Sequence, residues 1–296
     1  HFLECLENTM TKCYTKSDEL VLLTRFWGQM EEKMVQIIFS DIDGTLINSD
    51  YQVTAATRAS IVKAVQQGMV FVPVSARMPD AIQPIIQSIG ISSPIISYNG
   101  ALIQDQEGEV LASLPMQTQL ALDICQFVEG NYPEIAWNIY SYQNWYAMDR
   151  QHEWIAREEA IVGLVSQEKS LSDLTDLKEV HKVLLMGEPE VIAPLESLLK
   201  KGYPDLSIAQ SAPYFIEIMA AGIEKGQAVR TFSDHLGVPL SETIAFGDNY
   251  NDLDMLKMVG KGYVMANGPA AVQEAIGQVT ADHNQDGIAQ VLDTYL

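Results

Sequence analysis

The sequence predicts an α/β protein, with a doubly wound parallel sheet interrupted by an inserted α+β unit. Three observations carry this expectation. Short apolar runs alternate with helical periodicity over residues 35–97 and again over 225–276. The stretch between, about 116–219, changes to an αββαβαββ order with aromatic-rich strands. Two of the apolar runs end in carboxylates, which suits strands that deliver side chains to a crevice at the carboxyl edge of a sheet.

The elements follow in order. Val35-Gln-Ile-Ile-Phe-Ser40 is apolar enough for a strand buried on both faces. Thr54 to Gln67 reads as a helix with Ile61, Ala64 and Val65 on one face and Gly68 as its stop. Val70–Val74 and Pro94–Ser97 are strands around a helix over 82–89. Helix 225–236, strand 243–246, helix 252–258, strand 262–265 and helix 269–276 repeat the rhythm. Within the insert, Leu120, Ile124, Phe127 and Val128 mark a helix. Alternating strands near 135–141 and 145–149 follow, then a helix near 151–162 and a strand near 180–186. A helix near 190–200 and strands near 206–210 and 214–219 complete it. The expected division is therefore a core of 35–115 and 220–296 around an insert of 116–219. Residues 1–34 read as an N-terminal extension or vector-derived segment, with Met34 as a natural start. Leu20, Leu23, Phe26 and Trp27 recur there at helical spacing, which suggests a docked amphipathic helix without an assigned function.

Composition narrows the function. Of the 296 residues 47% are apolar and 19% charged, ample for a packed core and unlike a disordered or collagen-like chain. Asp and Glu number 39 against 18 Lys and Arg, a formal charge of −21. That field repels polyanions, so neither nucleic acid nor an anionic membrane is expected as a partner. No apolar run reaches the ~18 residues of a membrane span, and the N-terminus lacks the form of a signal peptide. Cys5, Cys13 and Cys125 cannot all pair and form no CxxC spacing. A reducing, cytoplasmic setting is expected.

The chemistry lies in the carboxylates. Asp41-Ile-Asp43-Gly44-Thr45-Leu46 follows the first strand, and Gly247-Asp248-Asn249-Tyr250-Asn251-Asp252 follows strand 243–246. Both point at the expected crevice, and Gly44 lets the chain turn sharply. Several carboxylates converging there repel one another unless a hard divalent cation joins them, and Mg²⁺ suits a few carboxylates plus a substrate phosphate. Ser75 after strand 70–74 offers a hydroxyl and nearby backbone N–H groups. Lys225 opens a helix, where its ammonium can join the positive helix end. A carboxylate nucleophile, a metal site, a hydroxyl and a lysine together are chemistry for a phosphoryl group. Taken singly, each part also has a plain structural reading: Asp-x-Asp as a turn or cap, Asp252 as the opening of its helix.

These motifs resemble the haloacid dehalogenase superfamily of phosphatases, specifically the Cof-type branch with a large α/β cap. The match runs in order through DIDGTL at 41–46, Ser75 in VSAR, Lys225 in EKGQA and GDNYND at 247–252, with YNGA at 98–101 and TADHNQDGIA at 280–289 as further landmarks. It covers about residues 35–296. The resemblance implies a Rossmann-like core and a Mg²⁺-dependent phosphohydrolase acting on a small phosphorylated metabolite, such as a sugar phosphate. Asp41 would be the nucleophile, forming an aspartyl-phosphate, and Asp43 the general acid and base. Metal ligands would be Asp41, the Asp43 carbonyl, Asp248 and Asp252, the last directly or through water. Ser75, Ala76, Lys225, Asn251 and Gly44 would contact the phosphate. Two departures are mild: Ser75 stands where Thr is common, and Ala76 replaces a usual glycine. The cap would choose the substrate. Trp137, Tyr140, Tyr142, Trp145, Tyr146 and Trp154 would either form a platform over the leaving group or pack the cap sheet against its helices.

Three rival readings remain at this stage. A phosphosugar mutase or phosphotransferase would share the first half-reaction. A non-catalytic sugar-phosphate sensor would not need an acid two residues after the nucleophile. A Ca²⁺-binding module is suggested by Asp282-His-Asn284-Gln-Asp286-Gly287 with Asp293 at position twelve, though the usual Glu is absent there.

Overall fold

The computed structural model describes residues 35–296. The expected N-terminal helix, Met34, Cys5 and Cys13 lie outside the described residues, and Cys125 is buried as a free thiol. The chain opens with β1 (Ile37–Ser40), α1 (Ala55–Gln66), β2 (Val70–Pro73), α2 (Pro79–Ile89) and β3 (Ile95–Ser97). Thr54 starts α1 by accepting a hydrogen bond from the Thr57 N–H, 3.2 Å away. Next comes a hairpin of β4 (Leu102–Gln104) and β5 (Val110–Ser113), which hydrophobic patterning did not predict. Its strands are too short, and β5 too exposed, to leave a period in the sequence.

The inserted unit contains α3 (Thr118–Asn131), β6 (Ala136–Ser141), β7 (Asn144–Ala147), α4 (Glu153–Val162) and a two-residue strand, β8 (Gln167–Glu168). It continues through β9 (Lys182–Met186), α5 (Pro189–Gly202), β10 (Leu206–Ala212) and β11 (Phe215–Ala220). The expected order is present, with β8 added. These strands form one sheet in the order β10-β11-β9-β6-β7-β8, antiparallel except at β7–β8. Alternation divides its side chains cleanly. Trp137, Ile139, Val183, Leu185, Ile216 and Ile218 pack among the apolar residues of α3 and α5. Tyr140, Trp145, Leu184 and Phe215 turn the other way, toward Met78, Ala81 and Tyr98 of the core.

The chain then returns to the core with α6 (Lys225–Leu236), β12 (Thr243–Gly247), α7 (Leu253–Met258), β13 (Lys261–Met265), α8 (Ala270–Ile276), β14 (Val279–Thr280) and α9 (Gly287–Leu292). Five parallel strands run in the order β14-β13-β12-β1-β2. A parallel bridge between Val74 and Ile96 joins β3 to their edge. β1 is buried on both faces: Ile38 packs with α1, α2 and α9, while Ile37 and Phe39 pack with α6 and α7. This is the doubly wound sheet with an added cap that the sequence predicts. Among the described residues no helix is long and apolar enough to cross a membrane.

Candidate active site

β1 and β12 are neighbours in register, Ser40 opposite Phe246, so the residues that follow them share one end of the sheet. Asp41 leaves β1 with its N–H donated to the Phe246 carbonyl, 2.9 Å away. Asp248 leaves β12. Lys225, the first residue of α6, is fully buried and places its Nζ 2.6 Å from Asp41 Oδ1 and 2.6 Å from Asp252 Oδ1. The other Asp252 oxygen accepts the N–H groups of Asp248 and Asn249, at 3.0 and 2.9 Å. Asp252 is thus both a cap for its turn and a member of the cluster, which unites its two readings. Oxygens of Asp41, Asp248 and Asp252 lie within 4.8 Å of one another, the one acidic group among the described residues with metal-ligand spacing.

The loop between them is built tightly. Gly44 has φ +80°, and a Cβ there would fall 2.6 Å from Asp248 Oδ2. Only glycine satisfies both the left-handed turn and that contact. Thr45 donates its hydroxyl to Asp248 Oδ1 at 3.0 Å, and Asn267 donates to the Gly44 carbonyl at 2.8 Å. Both hold Asp248 and the turn in place, and Asn267 went unmarked in the sequence because it sits far from the motifs.

Electrostatically the cluster is short of positive charge. Burial pushes the Asp41 carboxyl up to about 8, opposed by Lys225 and reinforced by Asp252 and Asp248. An ordinary carboxylate pKa does not hold for Asp41 in this buried setting. The Asp248 carboxyl is likewise raised, first by burial. Lys225 is held protonated by its two carboxylate partners against the cost of burial. Three carboxylates with oxygen donors, one ammonium and no soft ligand form a donor set that fits a hard dication.

The remaining candidates divide. The Ser75 hydroxyl is buried and accepts the Arg77 N–H at 3.2 Å, which leaves its own proton uncommitted. Asp43 does not join the cluster. Its half-exposed carboxylate makes a two-point ion pair with Arg77, at 2.8 Å to Nε and 2.6 Å to Nη2. That partner was visible in sequence only as the last letter of VSAR. Asn251 is exposed on its turn and hydrogen-bonds to none of the cluster. Asp43, Ala76 and Arg77 line the core side of a cavity of about 220 Å³, closed from the cap side by Tyr140, Trp145 and Lys182 among others.

The loop that resembles a Ca²⁺ site is occupied with structural work. Asn284 accepts the Ser49 N–H, Asp286 accepts from the Thr54 hydroxyl, and Asp293 accepts from the Ser60 hydroxyl. Asp286 and Asp293 thus turn to the start and the middle of α1, and Asp282 accepts the Asn284 N–H within its own turn, rather than facing a common centre.

An acid-lined strand end under a closing sheet is the layout of a hydrolytic enzyme of the doubly wound class. The chain belongs to the haloacid dehalogenase-like hydrolase family, whose pattern it matches over residues 38–292. A Haemophilus influenzae protein named "Putative phosphatase" is 36% identical over 260 residues, spanning 88% of this chain and 98% of its own. Phosphatase YwpJ of Bacillus subtilis is 28% identical, over 87% and 99%. The crystal structure of a haloacid dehalogenase-like hydrolase from Bacteroides thetaiotaomicron superposes with a TM-score of 0.82 at 26% identity, over 88% of this chain and all of that one. The protein is a phosphatase of this family.

Proposed function

We propose that the enzyme hydrolyses small phosphate monoesters, sugar phosphates or related metabolites, through an aspartyl-phosphate on Asp41, with Mg²⁺ in the acidic cluster. The observation that carries this reading is the single buried ammonium of Lys225 shared between Asp41 and Asp252, with Asp248 beside them. Lys225 engages Oδ1 of Asp41, and no described residue donates to Oδ2. That oxygen attacks phosphorus while the bond from phosphorus to the leaving alcohol breaks. Asp43 passes a proton to the departing oxygen, then withdraws one from the water that attacks phosphorus and frees Asp41. Arg77 holds the Asp43 carboxylate at the cavity edge between these steps. Lys225, the Ser75 hydroxyl and the backbone N–H groups of Gly44 and Ala76 bear the charge of the transferring group, with Asn251 as a further contact.

Asp41, Asp248 and the Asp43 carbonyl would hold the dication. Asp252, its oxygens already committed to Lys225 and two N–H groups, would act through water. When bound, the ion offsets the carboxylates and keeps Asp41 ionised and nucleophilic. The core of 35–115 and 220–296, the cap of 116–219 and a reducing, cytoplasmic setting belong to the same reading.

The test is a phosphate-release screen over sugar phosphates, nucleotides, phosphorylated cofactors and an aryl phosphate, with and without Mg²⁺. Asp41→Asn should abolish release, by roughly 10³-fold or more, with the circular dichroism spectrum retained. Normal metal-dependent turnover by that variant rejects the assignment, and release that needs no metal rejects the cluster.

A further inference from the structure

The cavity over Asp43 has a charge balance of its own, set by the cap. Two cations reach it, and both are committed. Arg77 is taken by Asp43. Lys182 of β9 is buried and donates to the Ala76 carbonyl at 3.2 Å and to Glu217 at 3.3 Å. Its ammonium also stands 5.0 Å from the centre of the Tyr140 ring. One lining carboxylate is left over. Glu158, on α4, is partly buried in the cavity wall and forms no hydrogen bond or ion pair with any described residue. Burial raises its carboxyl above the ordinary range, with Lys182 and Arg77 opposing. Across from it Tyr140 and Trp145, partners on β6 and β7, stack with ring centres 5.7 Å apart and planes at 20°. The space of about 220 Å³ falls below that of pockets for drug-sized ligands, so the group it receives is small.

We infer that Glu158 is a specificity-determining residue: it selects phosphate monoesters whose small alcohol presents a hydroxyl or amino donor to it, and rejects alcohols that carry a second anion. This inference rests on the phosphatase reading of the same cavity. A donor from the leaving group satisfies a carboxylate that the described residues leave unpaired, and the aromatic pair covers the apolar face of a polyol. A second anion would meet Glu158 with no free cation in the cavity lining to offset it: Arg77 and Lys182 are committed, and Arg157, outside the lining, lies over the Trp154 and Tyr214 rings.

The experiment measures inhibition constants against hydrolysis of an aryl phosphate, so that poor substrates still give a reading. D-Glucitol 6-phosphate and 6-phospho-D-gluconate differ by one carboxylate. The sugar acid should compete about tenfold more weakly with the wild-type enzyme. Glu158→Gln should collapse that ratio toward one, whereas Glu153→Gln, exposed on the first turn of the same helix, should keep it. Glucosamine 6-phosphate set against glucose 6-phosphate reports which donor Glu158 prefers, and a gain for the amine that Glu158→Gln erases supports the assignment further. Equal inhibition by the two glucitol-series esters, no inhibition by either, or a ratio indifferent to Glu158→Gln overturns the inference. Aryl phosphate hydrolysis that still depends on Asp41 would show that the phosphatase reading survives such a failure.

Discussion

The acidic cluster of the core and the cap face of the cavity beside Asp43, the two walls of the site, carry buried charge in opposite ways. On the core side one ammonium, Lys225, serves Asp41 and Asp252 directly, with Asp248 at the edge. On the cap side Lys182 has one carboxylate of its own, Glu217, and an aromatic ring beneath it. The core therefore leaves more negative charge uncompensated than a folded interior tolerates by itself, while the cap lacks compensation only at Glu158. The lesson is that the first wall has the donor set to hold a partner of high positive charge and the second, in the reading proposed above, suits a modest polar one. A common scaffold can hold the chemistry fixed while altering selectivity through the lighter wall.

The sharpest way to break this contrast is to remove the shared ammonium. Lys225→Met should leave three close carboxylates with no counter-charge, cut phosphate release by at least about 10²-fold and lower stability by about 3–5 kcal/mol. Urea denaturation without added metal reads the second effect. Lys182→Met should cost less, because only one carboxylate, Glu217, loses its partner along with the neutral Ala76 carbonyl; equal losses would erase the distinction between the walls.

Gly44→Ala comes next. The strained φ and the approach to Asp248 should cost about 2 kcal/mol and displace the carboxylate, so the Mg²⁺ concentration for half-maximal activity should rise. Unchanged melting and metal dependence would show that the turn relaxes freely.

A smaller effect concerns the dication itself. Mg²⁺ at ten times its dissociation constant should stabilise the wild-type protein by about 1.4 kcal/mol, and Asp248→Asn should lose most of that gain. Calorimetry with and without chelator checks it. An equal shift in Asp282→Asn would instead point to the loop before α9.

The smallest effect sharpens the junction between the walls. His181 is buried, stacked on Tyr98 with ring centres 5.5 Å apart, and accepts the Tyr142 N–H at 3.1 Å. Burial lowers its pKa from 6.5 to about 4, opposed by Glu179. Between those values the unfolded chain binds more protons than the folded one, so stability falls as pH drops from 6.5 toward 4. From pH 7 to 5.5 the loss should be about 1 kcal/mol, and His181→Gln should flatten that part of the curve.

The same contrast explains what could be read from the chain alone. Asp41, Asp248 and Lys225 each lie beside an element whose period is visible, and a parallel sheet sends consecutive strand ends to one edge, so their meeting was legible. Nothing local announced that Asp43 turns away to Arg77, because that pair depends on how the loop after β2 lies over the turn after β1. The cap face was less legible still. Lys182, Glu217 and Glu158 come from β9, β11 and α4, and only cross-strand register and the packing of α4 on the sheet bring them together. The aromatics were partly readable: odd and even positions on β6 separate Trp137, which packs toward α3 and α5, from Tyr140, which lines the cavity. Trp137 thus takes the packing role, while Tyr140 and Trp145 stand on the face that lines the cavity. Strands of two to four residues, β4, β5, β8 and β14, are too short for any period to register.

The hydrogen bond from Lys182 to the Ala76 carbonyl has a mechanical consequence. It spans the gap from the upper sheet to the residue adjoining Ser75, so lifting the lid by even a few tenths of a nanometre severs it. Separation of the two sheets is thereby tied to the backbone beside Ser75.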